Sequence, residues 1–246
     1  MHQDNEEEAR KFNRLYRKLR KLNGHCTIPI SIVEIKDSED PPFQATLVSP
    51  SHSPIRVYLG SVSDAMYPRA LKERGIAGII NAAHRQCRDI QRVQREGSWG
   101  SVDFSPAWYQ RMLVLAPQDA PFRYLALDAE DHPRYKISDH FEECIAWLNE
   151  IEKSNSSQSS PAVLIHCIQG HNRSAALCVA WLMRRFELDL ESALFSIAQN
   201  RKGILSNKSF LMQLLKFASV SSLCGEENDI RPIQKIVTIG NIQERF

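Results

Sequence analysis

Val163-Leu-Ile-His-Cys-Ile-Gln-Gly-His-Asn-Arg-Ser174 is the stretch on which the architecture turns. An apolar run ends in His166-Cys167, five residues lead to Arg173, a hydroxyl follows at Ser174, and a helical pattern takes over. Thiolate chemistry on a phosphate ester needs this layout. A strand delivers the sulfur, a tight loop turns backbone N–H groups toward an anion, and a helix N-terminus adds positive potential. A free thiol titrates near about 8.5, and such a setting brings it to roughly 3.5–7.5. Arg173 grips two phosphate oxygens through a planar fork, which lysine lacks. Gly170 lets the loop turn and brings backbone close to a ligand. A buried strand cysteine is otherwise a small hydrophobe. Cysteine, glycine, arginine and serine together at a strand–helix junction point to the anion site instead.

Outward from the loop, Ala175, Ala176, Leu177, Val179, Ala180, Leu182 and Met183 are apolar on nearly every side, which predicts a buried central helix. Short β-rich runs lie at 56–59, 77–81, 124–127 and 162–166, separated by helical stretches. One stripe of Ile137, Phe141, Cys144, Ile145, Leu148 and Ile151 follows Ser138-Asp139, which are predicted N-caps. Alternating strands and helices predict an α/β layer fold, a four- or five-stranded sheet with the loop at the C-terminal end of a central strand.

The loop resembles the His-Cys-five-residues-Arg-Ser/Thr signature of cysteine-dependent protein phosphatases. Ala180-Trp-Leu-Met183 is similar to the Ala-Tyr-Leu-Met of dual-specificity phosphatases. Upstream, Val57-Tyr-Leu-Gly-Ser61, Leu71-Lys-Glu-Arg-Gly-Ile76 and Ile80-Asn-Ala-Ala83 look like the start of that domain. Downstream, Ser192-Ala-Leu194, Gln199-Asn-Arg201, and Phe210 through Gln213-Leu214 resemble its closing helices. The similarity spans roughly residues 54–218. The Asn-Ala-Ala triplet and the long following insert look most like the small atypical, vaccinia H1-related members. What the resemblance implies is a central, mostly parallel sheet flanked by helices and a two-step phosphatase mechanism without metal or other cofactor. It makes Cys167 the nucleophile, Arg173 and the loop Ile168, Gln169, Gly170, His171 and Asn172 the phosphate cradle, and Ser174 the hydrogen-bond partner of the departing sulfur. His166 becomes a loop organiser that helps depress the thiol pKa; on the residues alone it equally suits a satisfied core histidine.

Expulsion of an alkoxide or phenoxide needs a proton donor. The candidates lie in Tyr124-Leu-Ala-Leu-Asp-Ala-Glu-Asp-His-Pro-Arg134: Asp128 at the end of the strand pattern, then Glu130 and Asp131 in a segment interrupted by Pro133. In the resembled family the acid lies seven residues after the aromatic that opens this strand and ten before the Phe of the next helix. Asp131 meets both counts; Asp128 is the runner-up.

The loop interior departs from the Ala-Gly-x-Ser-Arg of many relatives. Asn172 before the arginine is similar to RNA 5′-triphosphatases of the superfamily, which prefer Thr-Gly after it and generally manage without the acid. Ser174-Ala175 and Asp131 favour protein substrates, so nucleic acid enters only under that alternative. Phosphoinositide phosphatases carry lysines in the loop, and this loop has only His171. A glucan phosphatase wants a carbohydrate-binding module that no segment suggests. Relatives that have lost the cysteine only bind phosphoproteins, and Cys167 weighs against that scaffold role. The chain is too short for the tyrosine-recognition segment of classical tyrosine phosphatases as well as its extensions, so a shallow pocket and dual specificity are expected.

Within 246 residues, residues 54–220 form the expected catalytic domain, 1–53 an N-terminal helix and linker, and 221–246 a tail. Phe12, Leu15, Tyr16, Leu19 and Leu22 recur at helical spacing among Arg10, Lys11, Arg14, Arg17, Lys18, Arg20 and Lys21. This basic amphipathic helix is expected to lay its apolar stripe on the domain; the sharper alternatives are an acidic docking partner for residues 10–21 or an anionic membrane surface. Residues 37–54 read as linker and 153–160 as a polar loop. Ile233, Ile236, Val237 and Ile239 fit either a strand or a docked tail. Residues 84–122 are an insert holding Arg85, Arg88, Arg92, Arg95, Trp99 and Trp108, either packed surface or a pocket wall. A net charge of +2 commits the chain to no polyanion. Six cysteines without paired metal-ligand spacing suit a reducing compartment. No run spans a membrane and the N-terminus lacks a signal-peptide core, so a cytoplasmic or nuclear protein is expected. Cys87 or Cys178 could trap an oxidised Cys167 as a disulfide.

Overall fold

Ala162–His166 (β5) is buried at all five positions and, among the described residues, forms the middle strand of a five-stranded sheet in the order β1-β2-β5-β3-β4. A computed structural model of the chain describes residues 2–24, 43–94, 103–113, 122–154 and 160–223. Val163-Leu-Ile165 has no polar alternation because both faces of a central parallel strand are covered. Arg56–Gly60 (β2) and Ile76–Asn81 (β3) flank it in parallel, and Arg123–Ala126 (β4) lies outside β3, also parallel. The register sets His166 between Gly60 and Asn81, so three strands release their chains at one edge. That carboxyl edge is where open parallel sheets bind ligands. All four strands fall within a residue of the runs read from the sequence.

Thr46–Leu47 (β1) pairs antiparallel with β2 at Leu59 and Tyr58. It lies inside the stretch read as linker, so sheet pairing reaches back before residue 54. Two residues are too few to show a period of two.

Arg173–Phe186 (α7) is the expected buried helix, enclosed from Arg173 through Met183. Around it pack Phe141–Ser154 (α6), Leu190–Ala198 (α8) and Lys208–Leu223 (α9). The α6 stripe of Phe141, Cys144, Ile145, Leu148 and Ile151 is buried as its spacing predicts. Ser138 and Asp139 are not its caps: they belong to a 3-10 turn, Ile137–His140, and the Ser138 N–H donates to Gln213 Oε1 at 3.0 Å.

His2–Asn23 (α1) lies on α8 and α9. Leu15 and Leu19 are buried, with Phe12, Tyr16 and Leu22 packed beside them. A fully buried leucine contributes roughly 1.5–3 kcal/mol, whereas the exposed pairs of Arg14 and Lys18 with Glu191 add little. Asn23 closes the contact, donating to Ile204 O at 2.8 Å and accepting from Gly203 N–H at 3.0 Å. The apolar stripe is thus spent on the domain, and Arg17, Arg20 and Lys21 remain exposed.

Val62–Ala65 (α2) and Pro68–Glu73 (α3) connect β2 to β3, and the insert forms His84–Gln94 (α4) and Pro106–Met112 (α5). Trp108 and Tyr109 are buried; Tyr109 stacks on Phe122 and Tyr124 and donates its hydroxyl to Ala65 O at 3.1 Å. Trp99, the side chains of Arg92 and Arg95, the core of the polar loop at 155–159 and the tail from 224 lie outside the described residues, as does most of the 37–54 stretch before residue 43.

Candidate active site

Between β5 and α7 the chain makes a tight loop whose carbonyl oxygens are all taken by the scaffold. His166 O accepts from Ala82 N–H at 2.8 Å, Ile168 O from Val62 N–H at 3.1 Å and His171 O from Leu205 N–H at 2.9 Å. Arg201 donates to Gly170 O at 2.8 Å and to Gln169 O at 3.2 Å. His166 Nδ1 reaches Cys167 O at 3.3 Å, and because a carbonyl only accepts, this nitrogen carries the proton. A trans peptide is planar, so a carbonyl turned outward turns the next N–H inward. Carbonyls 166 through 171 therefore aim the N–H groups of 167 through 172 at the concave side. Gly170 has φ 71°, and a Cβ there would lie 2.4 Å from Gly60 O, so only glycine fits.

At the floor of this cradle lies Cys167, 2% exposed. Its Sγ accepts from Gly170 N–H at 3.2 Å and from the Ser174 hydroxyl at 3.3 Å. Burial alone would raise the thiol. The Arg173 charge, both hydrogen bonds from Ser174 and that from Gly170 outweigh it and hold Cys167 below its ordinary value. Arg173 is itself buried, with Nη1 donating to Gln86 Oε1 at 2.7 Å and to Ala129 O at 3.0 Å. Its Nε has no protein partner among the described residues, which leaves that edge to grip an anion. Gln86 is neutral, so it orients the guanidinium without cancelling its charge.

The cavity above Cys167 measures about 360 Å³ and is lined by Asp131, Ile168, Gln169, His171, Asn172 and Arg173, with Gln86, Asp89 and Ile90 from α4. Asp131 stands at its rim. Its Oδ2 accepts from Asn172 Nδ2 at 2.9 Å and its Oδ1 from Asn207 Nδ2 at 3.0 Å. Asp128 is elsewhere, 3.8 Å from Arg85 in a neighbouring depression with His84 and Arg88, and Glu130 also faces Arg85. Of the three acidic candidates, only Asp131 shares the cavity with the sulfur.

Burial depresses His166 from 6.5 to about 4, so it is neutral near physiological pH and lends the sulfur no charge. Its contact with the loop is the bond to Cys167 O. His171 is likewise pushed down to about 4, by burial and then by Arg201, so the loop has no added cation near neutrality. Unfolded, each imidazole titrates near 6.5; folded, each takes a proton only near 4. Both groups therefore contribute stability that is full above about 6.5 and is lost as the pH falls from there toward 4. The melting temperature should drop by several degrees between neutral pH and about pH 5. Scanning calorimetry checks this, and a His166→Gln variant should show the shallower dependence.

Burial pushes Cys87 up to about 12 and raises Cys178 well above its ordinary value, so both are thiols at neutral pH. Gln86 and Asn207 bear on the site without any local sequence signal, and Arg201 lies in the Gln199-Asn-Arg201 resemblance, which gives it no role; the insert as a pocket wall is the nearest indication of Gln86.

Residues 57–220 match the family model described as dual specificity phosphatase, catalytic domain. Human DUSP28 is similar in structure at 23% identity and TM-score 0.52, over 74% of this chain and 97% of that one. The human tyrosine phosphatase-like serine/threonine/tyrosine-interacting protein matches at 22% and 0.50, over 74% and 99%. A leucine rich repeat and phosphatase domain containing protein from Entamoeba histolytica matches at 16% and 0.51, over 75% and 97%. These likenesses share the fold of the sheet and its helices. With the family match covering most of its length, the chain belongs to the dual-specificity phosphatases.

Proposed function

We propose that the chain hydrolyses phosphotyrosine and phosphoserine/phosphothreonine esters of proteins through a cysteinyl-phosphate intermediate. The observation that carries this is the convergence of the Cys167 sulfur, the free edge of Arg173 and the Asp131 carboxyl on one cavity. In the first step the Cys167 thiolate attacks phosphorus, and the S–P bond forms as the P–O bond to the side chain breaks. Arg173 and the inward N–H groups hold the equatorial oxygens, and protonated Asp131 gives its proton to the leaving oxygen. In the second step the Asp131 carboxylate takes a proton from water, the water oxygen attacks phosphorus, and S–P cleavage returns the thiolate, with Ser174 donating to the sulfur.

The RNA 5′-triphosphatase alternative rested on Asn172. Its side chain is spent on Asp131, Ser206 and Asn207, which ties the Asn-Arg pair to the acid that RNA enzymes manage without. That supports a protein ester as substrate. So does the insert, whose α4 supplies Gln86, Asp89 and Ile90 to the cavity wall. Exposed Arg17, Arg20 and Lys21 offer the acidic-partner reading a surface. Initial rates on a phosphotyrosine peptide, a phosphothreonine peptide and a 5′-triphosphorylated RNA, each against Cys167→Ser, test the proposal. Turnover of both peptides that disappears in the variant is expected. Preference for the RNA would replace the proposal with that alternative, and no turnover of any would favour a phosphoprotein-binding scaffold.

A further inference from the structure

Asp131 is held by two side-chain amides that cannot turn round. Asn172 Oδ1 accepts from the Asn207 backbone N–H at 3.1 Å and from the Ser206 hydroxyl at 3.1 Å. A backbone N–H only donates, so oxygen must occupy that end of the Asn172 amide and the NH₂ must face Asp131. Asn207 Oδ1 accepts from Ser209 N–H at 3.1 Å, capping the start of α9, so its NH₂ is likewise committed to Asp131. Each carboxyl oxygen thus receives one fixed donor, from two different elements. Ile204-Leu-Ser206 before Asn207 is anchored in turn: Leu205, at φ 54°, donates to His171 O, and Asn23 of α1 bonds Ile204 O.

We propose that Asn207 is a positioning residue for the reaction: acting with Asn172, it fixes the Asp131 carboxyl at the cavity rim where the leaving oxygen departs. This rests on Asp131 being the proton donor. Asn207 lies outside the cavity lining, so it acts through Asp131 alone. The acid is held in place by the closing turn of the domain, with no loop closure needed to deliver it.

The readout is the dependence of kcat/KM on the leaving group, which reports the step in which the P–O bond breaks. A nitrophenolate departs without help, whereas a phenolate needs the proton. Asn207→Ser keeps an oxygen for the α9 cap and removes the amide donor; Asn207→Asp keeps the cap and sets a like charge against Asp131. In Asp131→Asn the ratio of kcat/KM for phenyl phosphate to that for p-nitrophenyl phosphate should fall about 10²-fold. Asn207→Ser should lower the same ratio about tenfold and Asn207→Asp at least as much, with the rate of Cys167 alkylation by iodoacetamide unchanged. Adding Asn207→Ser to Asp131→Asn should change nothing further, because both act on one proton transfer. If Asp131→Asn lowers the ratio and both Asn207 variants keep the wild-type value, the proposal is overturned while Asp131 remains the acid. A wild-type ratio in Asp131→Asn overturns the acid assignment, and the proposal with it.

Discussion

Replacing Cys167 with serine is expected to lower kcat/KM on an aryl phosphate at least about 10⁴-fold while leaving phosphopeptide binding in place. The loop lowers a thiol by holding the Arg173 charge, the Ser174 hydroxyl and two backbone donors against the sulfur. An alcohol is a far weaker acid than a thiol, so the same surroundings leave serine protonated and poorly nucleophilic. The cradle itself changes little. Six carbonyls from His166 through His171 remain pinned by Ala82, His166, Val62, Arg201 and Leu205, and their N–H groups stay aimed inward. Removing the thiolate also removes a negative charge from beneath a phosphate dianion. Calorimetric titration of Cys167→Ser with a phosphotyrosine peptide should therefore give an affinity at least equal to the wild-type KM. Retained turnover in this variant would mean that the nucleophile is elsewhere.

The second large effect belongs to Arg173→Lys, expected to lower kcat about 10³-fold despite the conserved charge. Arg173 uses Nη1 to bond Gln86 and Ala129 O and keeps its Nε edge for the anion. A lysine ammonium is one nitrogen and cannot hold two wall groups and two phosphate oxygens together. Its charge would also be set differently against the sulfur. Since the Arg173 charge is the foremost influence lowering Cys167, the pH dependence of iodoacetamide alkylation should move upward in Arg173→Lys. Loss of turnover with an unmoved alkylation profile would confine the arginine's work to the phosphate. Wild-type turnover would remove it from the site.

What could be read directly from the chain is what is local. Strand, loop and helix from Val163 to Met183 are consecutive, so spacing and apolar pattern report the loop cysteine, the arginine and the buried helix together. The α6 stripe and the four parallel strands are likewise periodic within themselves. Contacts across long separations leave no such trace. Gln86 meets Arg173 across 87 positions, Arg201 meets Gly170 across 31, and Asn207 meets Asp131 across 76. Gln86 and Asn207 are unremarkable polar residues until the fold closes, and the motif that contains Arg201 does not say what it holds. Ser138-Asp139 has the residue types of a cap, which a 3-10 turn before a helix shares. Asn172 resembles a mark of substrate in the sequence, and only the fold reveals that its side chain bonds Asp131, Ser206 and Asn207.

The edge strand β1 has a practical consequence for anyone isolating the protein. Homology begins at residue 57, yet Arg201 draws on Gln44 O at 3.2 Å and Thr46 Oγ1 at 3.5 Å while it holds the loop carbonyls. Leu15, Leu19 and Val48 belong to the same buried cluster as β5. A fragment trimmed to the homologous segment would bare the hydrogen-bonding edge of β2 and the greasy flank of α8 and α9, inviting intermolecular strand addition. The unit that folds is larger than the unit that evolution makes recognisable, and expression boundaries should be drawn around the former.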